Sequence, residues 1–508
     1  MRTKSTILNF ITDAFPQVLI LVLGLFKTKF FIQILGSSQL GLYQLYGQIV
    51  SYLVLIEGGV GSAILFRLYS PLNHKNQQQI DEIMSAGRFL FRIIACLLLV
   101  IGFIISFFIG FFIQDSAETF SFSYMQITFL IYLLSQALYY FTIPHRVLFE
   151  ADQKKYIPNI IFQAIAVIKA ILEIVIVCSG LGLIAVLISL VVCSLTANIM
   201  ILFVFKKYYS NVNFKAKKDF SMMKDVKDLF VNTLGVLVTS NIDILIISKI
   251  IGLGYVVIYS TYNYFVEGIK QFIDKISSSV MSGVGDLLVE SKEKALIVFN
   301  EFNEFVFFVA SIICVPMFIF INKFIEIWYK GEVVTNIIWA LLFTVILFYQ
   351  ITKIPLKVFT YSSGKFKEVK IFVIFEVIIN LSLSLILVKF MGITGVLIAT
   401  VISMFVADWC TKPLVIFKKI IEADVWKYYK TYIINTLFIV AISAVMYLLI
   451  PKGYSSLFIC LLLGMAITII NFIIMSVYYW ITKQYNFIYR FGIFNIFNKV
   501  FKKQEENM

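Results

Sequence analysis

Apolar runs of about twenty residues, the length an α-helix needs to cross the hydrocarbon core of a bilayer, recur along the whole chain between short polar or glycine-bearing breaks. On that rule the pattern predicts fourteen spans. Seven lie at 9–35, 41–66, 86–113, 125–143, 158–179, 182–205 and 229–250. The other seven lie at 255–281, 301–320, 335–355, 371–390, 395–416, 429–450 and 455–481. Breaks of a few residues at Gly36–Gly41, Gly180–Gly182, Gly252–Gly254 and Gly392–Gly395 force antiparallel hairpins. Lipid offers no partner for backbone N–H and C=O groups, so segments of this kind must be helices. The predicted fold class is therefore all-α, a polytopic membrane protein.

Composition agrees with the pattern. Only 14% of the 508 residues are charged and 60% are hydrophobic, whereas a soluble domain carries about 25% charged residues; a water-soluble fold could not cover itself. The net charge of +14 would suit nucleic acid, but no solvated stretch is large enough to form a domain that binds it, and no nucleic-acid partner is expected. The distribution of the basic residues explains them better. With both ends placed in the cytoplasm, the cytoplasmic segments hold 28 Lys and Arg, against Lys323, Lys330 and Lys452 on the other side, which orients the chain by the positive-inside rule. Asp13 and Pro16 interrupt the N-terminal run and no small-residue cleavage site follows, so the first span reads as retained. The six cysteines fall in apolar runs without a C-x-x-C spacing, which indicates neither disulfides nor a metal site. Nucleotide, nucleophile-elbow and zinc-protease motifs are absent from the sequence, so no cofactor is expected and an enzyme is the weaker hypothesis.

The two halves repeat each other. Gly36, Tyr43 and Tyr46 recur 216 residues later as Gly252, Tyr259 and Tyr262. Ile143-Pro144-His145-Arg146-Val147 recurs 211 residues on as Ile354-Pro355-Leu356-Lys357-Val358, and Val204-Phe205-Lys206-Lys207 recurs 212 on as Ile416-Phe417-Lys418-Lys419. Three matches in one order at a nearly constant offset argue for two six-span units. The expected divisions are 1–227, a first repeat with its linker; 228–427, a second repeat; 428–482, two further spans; and 483–508, an amphipathic cytoplasmic tail carrying Phe487, Phe491, Phe494, Phe497 and Phe501 on one face. An even number of spans per unit sets the pseudo-twofold axis along the membrane normal, with a substrate site between the repeats. The lysine-rich linker from Lys206 to Asp228 reads as a cytoplasmic segment held near anionic lipid.

An ionisable side chain in mid-membrane costs about 2.5–3.5 kcal/mol on insertion scales and so faces a cavity or a partner. The eighth span carries Asn263, Glu267, Lys270 and Asp274 as one helical stripe, in which Lys270 has Glu267 and Asp274 as neighbours. Lys27 and Lys29 on the first span, Glu57 on the second and Asp243 on the seventh complete the expected wall of a hydrated cavity. Asp13 and the i, i+4 pair Lys169 and Glu173 are secondary candidates. Lys249, Lys353 and Lys389 lie near span ends, where interfacial anchoring explains them, and His74 and His145 read as solvated loop residues.

Ser240-Asn241-Ile242-Asp243-Ile244-Leu245-Ile246-Ile247, leading through Gly252 to Tyr259, resembles the seventh-span signature of the multidrug/oligosaccharidyl-lipid/polysaccharide exporter superfamily, within it the Wzx-type bacterial polysaccharide (O-antigen) flippases. Glu57-Gly58-Gly59-Val60-Gly61, Ala151-Asp152-Gln153-Lys154-Lys155-Tyr156 and Ile327-Trp328-Tyr329-Lys330-Gly331 are similar too, and the likeness covers residues 1 to about 482. Glu57 stands where relatives carry Asp. The resemblance implies a carrier in the bacterial cytoplasmic membrane that moves an undecaprenyl-pyrophosphate-linked oligosaccharide outward by alternating access, among membrane lipids and other surface-polysaccharide assembly proteins. Alternatives are a cation-coupled drug exporter of the same fold, expected to have a cavity rich in carboxylates alone, and a glycan polymerase or ligase, expected to carry a large outer loop.

Overall fold

The computed structural model describes residues 2–114, 120–221, 242–364, 366–451, 453, 455–482 and 484. Ser240, Asn241, Lys452, the linker beyond 221 and the tail beyond 484 lie outside the described residues, as does the side chain of Asp13. The chain forms two compact units, Met1–Tyr259 and Ser260–Met508. The first contains α1 (Arg2–Phe30), α2 (Ser37–Leu53), α3 (Val60–Asn73), α4 (Gln77–Ser106), α5 (Phe122–Tyr140), α6 (Ile143–Ala151), α7 (Tyr156–Cys178), α8 (Gly182–Tyr208) and α9 (Ile242–Ile250). The long helix α10 (Leu253–Glu290) begins in the first unit and continues into the second. There follow α11 (Lys292–Trp328), α12 (Ile337–Thr352), α13 (Ile354–Ser363), α14 (Phe366–Met391), α15 (Ile393–Met404), α16 (Lys412–Ile416), α17 (Val425–Leu449) and α18 (Leu457–Ile481).

Among the described residues, eleven helical segments are long and apolar enough to cross a membrane. The other three expected spans differ from these for separate reasons. Most of 229–250 lies outside the described residues, and 255–281 falls within α10, whose charged stripe sets it apart from the apolar eleven. The run 41–66, expected as one span, is broken: α2 ends in a short 3₁₀ turn, Val54–Glu57, and Gly58 and Gly59 adopt φ of 57° and 83° before α3 starts. Only glycine takes that left-handed conformation without a steric penalty, so the Gly58-Gly59 pair sets the break.

The repeat matches fall on matching breaks. α5 stops before Ile143-Pro144 and α12 stops before Ile354-Pro355, and in each case the proline occupies the first turn of the next short helix, where its missing N–H costs nothing. Aromatic rings fill both cores: Tyr46, Phe91, Phe129 and Phe149 in the first unit, and Tyr262, Phe299, Phe307 and Phe343 in the second, are almost wholly buried. Outward-facing side chains such as Phe203, Phe390 and Leu449 are about as apolar as the core, as a lipid solvent allows.

After α8 the chain folds back onto the start of α4. Ser85 Oγ lies 3.0 Å from the Phe214 carbonyl and 2.9 Å from that of Ala216, while Asp81 accepts from the Asn213 N–H at 3.0 Å. This strap covers His145, which sits against Phe205 and Phe214 and is buried, not solvated as the loop-like sequence suggested.

Candidate functional site

In the first unit α1 and α7 pack together and bury one carboxylate between them. Glu173 of α7 is fully buried and meets Lys27 of α1 at 3.0 Å, and the Tyr43 hydroxyl of α2 donates to its other oxygen at 3.1 Å. The Lys27 ammonium also lies 5.2 Å from the centre of the Tyr43 ring. Glu173 therefore bonds across helices to Lys27 rather than to Lys169 on its own helix; Lys169 and Lys29 are half-buried. Burying a carboxylate in this setting is tolerable because an ammonium and a hydroxyl replace its water.

The tyrosine pattern repeats. Tyr259, 216 residues after Tyr43, donates its hydroxyl to Asp243 at 2.7 Å. Tyr46 donates to the Met125 carbonyl at 2.8 Å, and its counterpart Tyr262 donates to Asn322 at 2.6 Å. In each half the first tyrosine serves a carboxylate, and the second anchors the helix in the core.

Glu57 sits in the turn between α2 and α3, where its carboxylate accepts the Gly61 N–H at the start of α3, a position the helix dipole favours for an anion. It lines a cavity of about 280 Å³ with Ser62, Leu65, Tyr139, Arg146, Glu150 and Lys155 among its neighbours. Lys155 and Glu150 form an ion pair at 2.9 Å.

The α10 stripe does not act as a closed set. Lys270 pairs with Glu267 at 3.0 Å, but Asp274, expected beside Lys270, is taken by Lys357 of α13 at 2.7 Å. Asn263, one turn before Glu267, is half-buried.

The second unit also holds a network that sequence reasoning missed. Asp408 and Glu376 are buried; Lys353 reaches Asp408 at 3.1 Å, and Lys412 pairs with Asp408 and lies 3.5 Å from Glu376. Lys353 is thus a partner in an internal network, not an interfacial anchor. Asp408 lies on a stretch of π-helix, Phe405–Thr411, a local widening that recurs at functional positions. The signal was present in the sequence, since Glu376, Asp408 and Lys412 all interrupt apolar runs.

No family model and no curated protein sequence matches the chain. Solved structures do. The lipid II flippase MurJ, in an inward closed conformation, superposes with a TM-score of 0.65 at 17% identity, covering 94% of this chain and 99% of MurJ. An inward-facing MATE multidrug resistance transporter of the MOP superfamily superposes at 0.62 and 13% identity, covering 77% of this chain and 92% of the transporter. A MATE protein in a bent conformation gives 0.57 at 13% identity, covering 85% and 97%. The chain has the fold shared by MurJ and the MATE transporters.

Proposed function

We propose that the protein is a flippase that carries an undecaprenyl-pyrophosphate-linked oligosaccharide from the cytoplasmic to the outer leaflet by alternating access. The observation that carries this reading is the extent of the likeness to MurJ, a lipid II flippase, which takes in 94% of this chain, against 77% and 85% for two MATE proteins. The solved structures that share its fold are a flippase and transporters, which supports a carrier. On this reading the protein resides in the bacterial cytoplasmic membrane with both ends in the cytoplasm, and works beside other surface-polysaccharide assembly proteins.

The charge arrangement supports a substrate with an anionic linkage. Lys27 is balanced by Glu173 and Lys270 by Glu267, so each cation has a resident carboxylate when no substrate is present, and the pyrophosphate exchanges with that carboxylate on arrival. With the cytoplasm negative, outward movement of each anionic charge is favoured by about 2.3 kcal/mol per 100 mV, so shielding during passage matters more than tight binding. A drug exporter using carboxylates alone fits less well, because the carboxylates Glu173, Glu267, Asp274 and Asp408 each have a lysine partner.

Surface-glycan assembly in cells lacking the native gene tests the reading. Lys270→Ala should impair assembly more than Lys249→Ala, since Lys249 rests on the Phe111 ring at 4.7 Å. Full assembly with both variants at matched expression would refute the cationic passage.

A further inference from the structure

The repeat places a base in matching positions of the two units, with an acid within one position of correspondence, and the structure treats the pairs differently. Asp274 and Lys357 close into an ion pair at 2.7 Å in the second unit. Arg146 is the counterpart of Lys357 at the 211-residue offset, and Glu57 lies one position before the counterpart of Asp274 at the 216-residue offset; both line the cavity of about 280 Å³ in the first unit, where no ion pair joins them. Among the described residues no carboxylate lies within ion-pairing distance of Arg146. Its guanidinium rests against the rings of Tyr139 and Phe162, with Cζ 4.4 and 4.3 Å from their centres, and its Nη1 is buried without a hydrogen-bond partner. Cation–π contact holds the group in place and leaves its hydrogen-bonding capacity unspent. The Glu57 carboxylate is held by the Gly61 N–H, and a Cβ on Gly61 would come within 3.0 Å of it.

We propose that this cavity is a saccharide subsite, in which a sugar ring bridges Glu57 and Arg146; the assignment rests on the flippase reading and extends it to the head group. The cavity's charges choose the ligand class. Glu150 and Lys155 satisfy each other, which leaves one carboxylate and one guanidinium facing a shared space. A free anion meets repulsion from Glu57 and a free cation meets it from Arg146. A neutral polyol meets neither: its hydroxyls donate to the carboxylate while their oxygens accept from the guanidinium. The Tyr139 ring and Leu65 add an apolar wall for the C–H face of the ring. The volume sits at the low end for small-molecule pockets, which run from about 300 Å³ upward, and suits a single sugar rather than a whole oligosaccharide. The second unit has no need of such a ligand because Lys357 already fills the role for Asp274.

The test uses the full chain in lipid nanodiscs and saturation-transfer NMR with methyl glycosides of neutral hexoses and N-acetylhexosamines, with inorganic phosphate and glycine as competitors. At least one glycoside should show transfer. Arg146→Gln and Glu57→Gln should each weaken it about tenfold, and Ser62→Trp, at an exposed position on the cavity lining, should abolish it while leaving both charges in place. Lys357→Gln should leave it unchanged. Thermal unfolding of each variant separates lost binding from lost folding. Absence of transfer with every glycoside, displacement by phosphate or by glycine, or retention in Ser62→Trp would each overturn the subsite. Transport is not measured here, so glycoside binding in a protein whose loss leaves surface glycan intact would refute the flippase reading alone, and failed binding in a protein required for surface glycan would refute the subsite alone.

Discussion

The two units hold closely corresponding charges in different ways. In the first, Glu57 and Arg146 stand around a cavity unjoined; in the second, Asp274 and Lys357 touch. The backbone differs at the same place. Gly58 and Gly59 break the first unit's run into α2 and α3, whereas the matching stretch of the second unit continues unbroken through α10. A second contrast runs the same way. Thr142, 211 residues before Lys353, donates to Asn198 at 2.6 Å, a neutral bond, whereas Lys353 enters the ionic network around Asp408. Similar packing in lipid can thus be closed by neutral hydrogen bonds or by ion pairs.

The contrast breaks most decisively at Asp408. Asp408→Ala leaves Lys353 and Lys412 together without their shared carboxylate, and loss of one member of a buried pair costs about 3–5 kcal/mol; the thermal midpoint in detergent should collapse or the folded protein should fail to accumulate. Asn198→Ala, the first unit's neutral equivalent, should cost about 1–3 kcal/mol for the orphaned partner groups. Equal costs in the two units would end the distinction.

Gly59→Ala probes the turn itself. A residue with a Cβ is penalised by about 1–2 kcal/mol in the left-handed region, and the substitution favours a continuous helix like α10. A cysteine at Ser62 should then react more slowly with a small polar thiol reagent as the cavity closes, and an unchanged rate would show that the glycines do not hold it open.

Lys357→Ala should cost less than 1 kcal/mol, because both partners of the Asp274 pair remain about 40% exposed and exposed pairs contribute little. A larger loss would mean that this pair carries structural load comparable to the Asp408 network.

The smallest effect concerns the strap. The backbone N–H of Ser221, with the Ser221 hydroxyl and Arg67 assisting, holds the Asp219 carboxyl below its ordinary range. A depressed carboxylate pKa stabilises the fold above the unfolded value of about 3.9 and loses that contribution as the pH falls through the folded value. A spin label in place of Phe220 should gain mobility only below about pH 4, and the step should vanish in Asp219→Asn.

Much of the fold was legible because membrane helices are written in runs of apolar residues, and both proline breaks fall where repeated motifs mark them. The break at Gly58-Gly59 was harder to see, since the residues around it remain apolar enough to read as one span. The ion pairs were legible as a population but not as a list of partners. Glu173 and Lys169 are neighbours on one helix, yet Lys27 takes the carboxylate; Lys270 and Asp274 share a stripe, yet Lys357 reaches Asp274 first.

By itself the sequence determined that this chain lives in lipid, that its regular structure is helical, that short motifs recur between its halves, and that charges must be compensated inside it. These follow from local quantities: hydropathy over about twenty residues, helical periodicity and the spacing of motifs. Only the tertiary structure decided which charge meets which, which pair stands open around a cavity and that His145 is covered. Those outcomes depend on how each helix is rotated and tilted against its neighbours, and packing between distant segments, not the order of residues along one helix, sets that rotation.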